Sequence, residues 1–213
     1  MRTFALLLVV VVMSLAVGWN FWDGEATDDT AYFPLKVGYK WTYTFVIKVA
    51  APEASYEAGE VKIEVTGTEK VGDVEGFVVE ESDSIATSCY VVDEEGVKEY
   101  YKEGNNNNLS KQLVLKFPLK KGSKWSSSEM LVENDSKNEG EEEIEVPAGK
   151  MKCWKISRVM FDNAMKMEKM EMWFAKDIGI VKESVKGAGL EFTRELKSFS
   201  KGEDKKGNEG EKK

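Results

Sequence analysis

A nine-residue motif occurs twice in the chain and constrains its architecture more than any other feature. Phe33–Trp41 reads FPLKVGYKW and Phe117–Trp125 reads FPLKKGSKW, so seven of nine positions are identical at a separation of 84 residues. In each copy proline fixes φ and glycine permits a tight turn, which is typical of a loop that leads into a strand. Self-similarity at a fixed separation indicates related structural units. We therefore predict two related halves, residues 32–116 and 117–199, each beginning at one copy of this FPLK motif.

The residues after the first motif alternate between apolar and polar side chains. From Tyr39 to Val49 every second residue is apolar, which is typical of a half-buried strand. Shorter strand patterns follow along the chain, and no stretch has the period of a useful amphipathic helix. A second pair of similar segments, Cys89–Glu99 and Trp173–Glu183, is again 84 residues apart. Because the connections are short, the sequence predicts an all-β fold of about twelve antiparallel strands, six in each half.

The N-terminal segment predicts export. Residues 4–17 are apolar apart from one serine, and Ala16-Val17-Gly18 supplies small residues before a cleavage point, so we predict a signal peptide at 1–18. The alternative is an uncleaved anchor, because residues 3–22 carry no charge and are long enough to span a bilayer. Only in that case would the protein contact a membrane. Both interpretations place the folded part outside the cytoplasm, as a periplasmic or secreted domain.

Polar segments flank the predicted domain. Residues 19–31 predict a linker, and residues 32–199 predict a single β domain that comprises both halves. Residues 200–213 contain no large apolar side chain. Because such a segment cannot offset the entropy of ordering, we predict a disordered tail there.

Composition excludes several classes of function. The net charge of −8 argues against a nucleic-acid partner, which would require a basic face. Histidine is absent, which excludes histidine-based acid–base catalysis, Ser-His-Asp triads and histidine-ligated metals. A hydrolase based on carboxylates is a third hypothesis, but no catalytic motif supports it. We therefore predict a protein that is not an enzyme and has no catalytic residue, cofactor or metal.

Two segments of the second half depart from simple alternation. Residues 134–143 are mostly charged or polar and predict a solvated loop, without the ligand spacing of a calcium loop. Residues 165–174 are strand-like, and a change of parity near Lys169 predicts a bulge or bend. Methionines commonly fill irregular cores, whereas thioethers outside the cytoplasm can also bind Cu(I). Both interpretations concern the same four residues, Met165, Met167, Met170 and Met172.

Three signatures resemble those of a family of uncharacterised bacterial secreted proteins and lipoproteins. They are FPLKxGxKW at Phe33–Trp41, VPAGxxxC at Val146–Cys153 and WFAxxxGxVK at Trp173–Lys182, in the order of that family. The family is similar to the half-barrel of periplasmic lipoprotein carriers, so the resemblance implies a curved antiparallel sheet, a half-barrel or open barrel, outside the cytoplasm. It implies no assigned activity. The chain differs from the lipoprotein members because no cysteine follows its N-terminal apolar run.

The two cysteines, Cys89 and Cys153, lie one in each half. In an oxidising compartment a disulfide between them would close a long loop and stabilise the fold by about 4 kcal/mol in the chain-entropy model. They do not occupy equivalent positions of the repeat, and two reduced thiols in the core are an equal alternative. The sequence leaves both interpretations open.

Two arginines stand in phase with apolar side chains. Arg158 and Arg194 are the only arginines after Arg2, and each continues an apolar alternation, one with Trp154 and the other with Phe192. An inward guanidinium needs a partner because an isolated buried charge is costly. One hypothesis is that the two arginines line the concave face and grip the anionic group of a lipid-like ligand, with Trp154 and Phe192 as further ligand-binding residues. The alternative is a structural ion pair, or a guanidinium that extends to water.

These observations predict a protein of the cell envelope that binds and does not catalyse. The concave face would hold a hydrophobic or amphipathic ligand, or a protein partner in the envelope. The alternative is a structural or adhesive envelope module with a filled core and no ligand pocket. The interior of the sheet distinguishes the two, because a carrier needs an open apolar space there.

Overall fold

The computed structural model of the chain describes residues 28–49, 55–82, 84, 87–102, 109–129, 132–162, 167–187 and 189–202. This part contains one turn of 3-10 helix at Asp29–Tyr32, followed by twelve strands. In chain order the strands are β1 Lys40–Val49, β2 Ser55–Val71, β3 Val74–Glu81, β4 Thr87–Asp93, β5 Gly96–Lys102, β6 Leu109–Lys116, β7 Lys124–Glu129, β8 Val132–Val146, β9 Gly149–Asp162, β10 Met167–Ala175, β11 Gly179–Gly187 and β12 Leu190–Ser200. Within these ranges, no helix is both long and apolar enough to cross a membrane.

All twelve strands belong to one antiparallel sheet, bent into a nearly closed barrel. The strand order is β6-β5-β4-β3-β2-β1-β12-β11-β10-β9-β8-β7. Each half is therefore a six-stranded meander, and the two halves join where β1 pairs with β12. Short hairpin connections of this kind produce antiparallel neighbours. The prediction of an all-β fold of twelve antiparallel strands is confirmed.

Strand β1 shows how the sequence sets the register of the sheet. Trp41 and Tyr43 are buried, whereas Lys40 and Lys48 are exposed. Tyr43 lies directly opposite Val61 of β2, which is also buried. A slip of one residue would turn both aromatic rings to solvent, so burial of this face fixes the pairing.

The buried apolar side chains form two clusters. The first consists of Trp41, Tyr43, Val61, Val65, Val146, Cys153, Trp173, Ala175, Val181 and Leu196. The second consists of Val97, Val114, Leu115, Phe117, Trp125, Ile156, Met172 and Phe174. Each cluster contains the tryptophan that ends one FPLK motif, so the motifs anchor the two parts of the core.

The glycine turns of the two FPLK motifs have the same local structure. Gly38 and Gly122 have φ angles of 91° and 83°, a conformation that glycine adopts without strain. The Gly38 N–H donates to the carbonyl of Val65 at 2.8 Å, and the Gly122 N–H donates to that of Asn138 at 2.7 Å. The carbonyl of the residue after each glycine accepts the N–H of the same partner, at 3.0 and 2.9 Å. Val65 and Asn138 therefore occupy corresponding places in the two halves.

The segment predicted to be a solvated loop, residues 134–143, is part of strand β8. It pairs with β7 on one side and with β9 on the other. Asn134, Ser136 and Asn138 are buried, each with no more than 3% of its surface exposed. The loop prediction was wrong because it recognised a strand only by apolar side chains at every second position. In β8 the buried positions of the alternation are polar. Gly140 lies at the point where the register with β9 shifts.

The bulge predicted near Lys169 is also wrong. Lys169 pairs in regular register with Val159 of β9. The register shift of β10 lies between Trp173 and Phe174, in its pairing with β11. The change of parity that the sequence shows near Lys169 therefore does not correspond to a bulge in the backbone.

The methionines of β10 that the structure describes are core residues. Met172 has 3% of its surface exposed and belongs to the second cluster, and Met170 packs against the same cluster. Met165 and the side chain of Met167 lie outside the described residues. Packing accounts for Met170 and Met172 without a metal.

Residues 28–31, which the sequence assigns to the linker, are part of the folded structure. Asp29 is buried, and its carboxylate accepts the N–H of Leu119 in the second FPLK motif at 2.8 Å. The carbonyl of Ala31 accepts the N–H of Asp177 at 2.7 Å. The predicted signal peptide, the rest of the linker and nearly all of the predicted tail lie outside the described residues.

Candidate ligand cavity

A cavity of about 150 Å³ lies between the first FPLK motif and the strands around β1. Its apolar walls include Phe33, Leu35, Trp41, Ile63, Val79 and Ile180. An engineered protein cavity of similar volume accommodates benzene, whereas pockets for drug-sized ligands measure about 300–1,000 Å³. The space therefore suits one ring or a short alkyl chain, and it is too small for a whole lipid.

The first FPLK motif forms one wall of the cavity and packs against both halves of the sheet. The ring of Phe33 lies 5.3 Å from that of Tyr90 and 6.3 Å from that of Phe174, between centroids. The indole N–H of Trp41 donates to the carbonyl of Ile178 at 2.6 Å. This hydrogen bond joins the turn between β10 and β11 to the first FPLK motif. The contact explains why the motif and the WFA signature before that turn both have distinctive sequences.

Tyr43 marks the change from the apolar walls to a polar end. Its hydroxyl donates to the carbonyl of Ile180 at 2.7 Å. Burial raises the pKa of Tyr43 well above its usual range, although the charge of Arg194 opposes this effect. The phenol is therefore neutral at physiological pH, and its proton is already committed to a protein acceptor.

The polar end is built around Arg194 and two carboxylates. Nη2 of Arg194 lies 2.6 Å from Oε2 of Glu183, and Nη1 lies 3.4 Å from Oε2 of Glu81. The guanidinium carbon lies 5.3 Å from the ring centroid of Tyr43. Burial lowers the pKa of Arg194, but the neighbouring negative charges, Glu183 above all, more than compensate and raise it above its usual range. Arg194 is therefore a fixed cation whose two terminal nitrogens the protein itself pairs, while in the described part its buried Nε has no hydrogen-bond partner.

A second carboxylate system lies behind the cavity wall. Glu99 accepts hydrogen bonds from the hydroxyls of Ser88 and Tyr90, at 2.7 and 2.8 Å, and from Nε2 of Gln112 at 2.7 Å. Burial, and then the charge of Glu99, raise the pKa of Tyr90 well above its usual range. The other amide atom of Gln112, Oε1, accepts from Nη1 of Arg158 at 3.0 Å. A chain of hydrogen bonds thus leads from the cavity wall to Arg158.

Arg158 links β8 and β9 to the edge strand β6. Its Nε donates to Oγ of Ser136 at 3.0 Å, and its Nη2 donates to the carbonyls of Leu113 and Val114, each at 3.2 Å. The indole N–H of Trp125 donates to the same Leu113 carbonyl at 3.0 Å. In the described part, no backbone ladder joins the edge strands β6 and β7. Side chains therefore satisfy two carbonyls of β6, an edge strand that could otherwise pair with another strand.

The structure places only one of the four predicted ligand residues on the cavity wall. Among the described residues that line the cavity is Arg194, but not Arg158, Trp154 or Phe192. Phe192 stacks on Phe45, with 6.5 Å between ring centroids. Trp154 is half-buried on β9. The alternation that identified the two inward arginines was informative, because neither guanidinium is fully exposed.

Sequence reasoning missed the carboxylates at the polar end. Glu183 lies directly opposite Arg194 on the neighbouring strand, and Glu81 comes from the far end of β3. A signal was present for both, because Glu183 is in phase with Val185 and Glu81 is in phase with Val79. Among 38 acidic residues, however, phase alone does not select these two.

The two cysteines are not joined by a disulfide in the structure. Cys153 belongs to the first cluster with 1% of its surface exposed, and burial raises the pKa of its thiol to about 12. Cys89 is also buried, and its sulfur occupies the space where a side chain on Gly76 would lie. Both thiols are thus packed as small apolar groups.

A family model described as DUF3108-like matches residues 101–187. The match covers less than half of the chain, including the VPAG and WFA signatures but not the first FPLK motif. It supports the predicted resemblance to an uncharacterised family. No curated protein shows a significant sequence match.

Several solved structures resemble the fold at low identity. A protein described as exported, with a YmcC-like fold, from Bacteroides fragilis has 13% identity and a TM-score of 0.43, over 79% of this chain and 98% of its own. A protein described as a lipoprotein, from Parabacteroides distasonis, has 12% identity and a TM-score of 0.38 over the same shares. A LolA superfamily protein from Nitrosomonas europaea has 10% identity and a TM-score of 0.31, over 81% and 89%. Similarity at this level indicates no activity for the chain.

Proposed function

We propose that the chain is a non-enzymatic protein that holds the apolar group of a small amphipathic, lipid-like ligand in the cavity beside the first FPLK motif. The observation that carries this function is an interior space with apolar walls and one polar end, near 150 Å³ in volume. A largely apolar pocket with a few convergent polar groups is the usual form of a small-molecule site. The volume restricts the buried part of the ligand to about one ring or a short chain.

We further propose that the protein works outside the cytoplasm. The apolar run at residues 4–17, with small residues at its end, supports a cleaved signal peptide and an extracytoplasmic domain. An aqueous compartment between or outside membranes is a setting in which an amphipathic molecule needs a protein to cover its apolar part.

The two halves are best explained by an internal duplication. Both are six-stranded meanders that begin at an FPLK motif and use the same turn hydrogen bonds. Duplication accounts for the sequence identity of the motifs and for the constant separation of 84 residues.

A second candidate is the structural or adhesive envelope module. It is favoured by the two clusters of buried side chains and by the small volume of the cavity beside the first FPLK motif. In that case the cavity is a packing defect without an occupant, and the protein would act through its surface.

Two measurements on the mature protein separate these candidates. Mass spectrometry of an organic extract of the purified protein should detect a bound amphipathic molecule. In parallel, 1-hexanol should shift the methyl NMR signals of Leu35, Ile63 and Val79 in a saturable manner. If no molecule is extracted and these methyls do not respond to hexanol, the protein is a module and not a carrier.

A matched pair of variants locates the binding. Val79→Phe places a ring in the cavity and should abolish the response to hexanol. Val74→Phe adds the same ring on the same strand at a position that is 44% exposed and should leave the response unchanged. Equal responses in the two variants would show that hexanol binds elsewhere.

A further inference from the structure

The polar groups around the cavity indicate which ligand chemistry complements it. On the basis of the proposed binding function, we propose that the site takes an apolar chain or ring that ends in a hydrogen-bond donor, above all a protonated amine. An anionic head group is disfavoured there. This ligand class is opposite to the one expected if Arg194 gripped an anion.

Arg194 is not available as a simple anion receptor. Its side chain is 15% exposed, and that of Glu183, 2.6 Å away, is 11% exposed. Two largely buried opposite charges at this distance form a pair whose separation would leave an uncompensated charge in the interior. A ligand carboxylate or phosphate would have to compete with a partner that the fold itself holds in place.

Glu81 adds a second negative charge to the same group. Its Oε2 lies 3.4 Å from Nη1 of Arg194, a long distance for a charge-assisted hydrogen bond. The Glu81 side chain keeps 39% of its surface exposed and lines the cavity. The one cation and two carboxylates therefore leave one excess negative charge, on the carboxylate that is most accessible to a ligand.

Four neutral polar groups of the wall already donate their protons to the protein. The hydroxyls of Ser88 and Tyr90 donate to Glu99, and the hydroxyl of Tyr43 donates to the Ile180 carbonyl. The indole N–H of Trp41 is likewise committed to a carbonyl. A hydroxyl that donates inward presents only oxygen lone pairs to a ligand. These hydroxyls and Glu81 thus offer acceptors, and a ligand complements them by supplying donors.

Glu99 extends the same electrostatic bias behind the wall. Its carboxylate lies one hydrogen bond from Ser88 and Tyr90, both of which line the cavity. In a partly desolvated site charges interact more strongly than in water. An anionic head group would therefore be repelled by Glu81 at the wall and by Glu99 behind Ser88 and Tyr90, whereas both carboxylates would attract an ammonium group.

Three ligands with one six-carbon chain and different ends test this directly. Hexylamine is protonated and hexanoate is ionised at pH 7, while 1-hexanol is neutral. Calorimetry or NMR titration at low salt should give the affinity order hexylamine, hexanol, hexanoate. Because a hydrogen bond to a charged group contributes about 1.5–3 kcal/mol, hexylamine should bind about tenfold or more tightly than hexanoate. Raising the salt concentration should reduce this ratio.

A matched pair of glutamate variants assigns the preference to the cavity. Glu81→Gln keeps the shape but removes the charge, so hexylamine should lose its advantage over hexanol. Glu80→Gln changes the adjacent, exposed residue and should preserve the order. If hexanoate binds as tightly as hexylamine, or if Glu81→Gln keeps the amine preference, the inference is overturned although binding stands. If none of the three ligands binds, the proposed binding function itself fails.

Discussion

The two halves of the sheet share a backbone frame and differ in the side chains they place inside it. In both, the motif strand pairs with a long second strand that changes register next to a glycine, Gly67 in β2 and Gly140 in β8. Four corresponding inward positions of the first half are apolar or aromatic: Tyr43, Val61, Ile63 and Val65. The same four positions of the second half are polar: Ser127, Asn134, Ser136 and Asn138.

Because of this difference, the two halves of the barrel have different interiors. The first half lines the cavity with apolar groups, among them Tyr43 and Ile63. The second half supplies hydrogen-bonding groups, among them Ser136 of β8, which accepts from Arg158 beside the edge strand β6. The same backbone frame therefore carries an apolar cavity wall in one half and a polar hydrogen-bonded interior in the other.

The largest expected effect comes from removing the guanidinium of Arg158, which links β8 and β9 to the edge strand β6. Arg158→Met keeps the apolar stem but removes the donor to Ser136, to Gln112 and to the Val114 carbonyl. Because each buried acceptor left unsatisfied costs about 1–3 kcal/mol, the variant should lose about 3 kcal/mol or more of unfolding free energy. Urea unfolding followed by tryptophan fluorescence measures the loss.

A surface lysine provides the control for this experiment. Lys152→Met, on the same strand, removes a side chain that is 69% exposed and should change stability by less than about 1 kcal/mol. If Lys152→Met and Arg158→Met lose similar unfolding free energy, stability falls with any charge removed from β9. The hydrogen bonds of Arg158 would then make no specific contribution.

Exchanging corresponding residues between the halves should give the next largest effect. Val65→Asn places an amide in an apolar cluster where Val65 has no exposed surface, and it should cost about 3 kcal/mol. Asn138→Val loses the bond that Asn138 accepts from the Gly140 N–H. In the described part, however, the Asn138 Nδ2 has no partner, so the net change should be within about 1 kcal/mol. Denaturant midpoints of both variants test this asymmetry, and equal losses would contradict it.

The same contrast explains how far the sequence predicts this fold. Alternation of apolar and polar residues identifies β1 because Trp41 and Tyr43 are large and apolar. It fails for β8 because the buried residues there are Asn134, Ser136 and Asn138. The alternation was present, but between short polar and longer charged side chains, a pattern that hydrophobicity does not register. The duplicated motif was the other available signal, because it requires a long strand after β7 as after β1.

The site was predictable in part for a related reason. The phase of Arg194 with Phe192 places it inward from local sequence alone. Its partners Glu81 and Glu183 lie on other strands, at distances along the chain that only the sheet order determines. For the same reason the sequence could not show that Arg158 reaches β6 while Arg194 reaches the cavity.

The two motif tryptophans should respond unequally to the same substitution. Trp41→Phe leaves the Ile178 carbonyl without the indole donor, which should cost about 1–2 kcal/mol beyond the change of ring. Trp125→Phe leaves a Leu113 carbonyl that still accepts from Arg158 at 3.2 Å, so its cost should be smaller by about 1 kcal/mol. Thermal or urea unfolding of both variants gives the difference directly, and a larger loss for Trp125→Phe would contradict the assigned bonds.

The smallest effect concerns the cysteines, one in each half. It tests whether solvent is excluded equally from the two buried thiols. An unpaired thiol in solution ionises near pH 8.5, whereas burial raises the pKa of Cys153 to about 12. Iodoacetamide reacts with the thiolate, so at pH 8 the native protein should gain almost no adduct, with reaction at Cys153 increasing only as the pH approaches 12. Denatured protein, without reductant, should gain two adducts by mass spectrometry because no disulfide joins Cys89 and Cys153. An unchanged mass after denaturation would instead establish the bridge, and rapid native labelling of Cys153 alone would show that the second half admits water where the first does not.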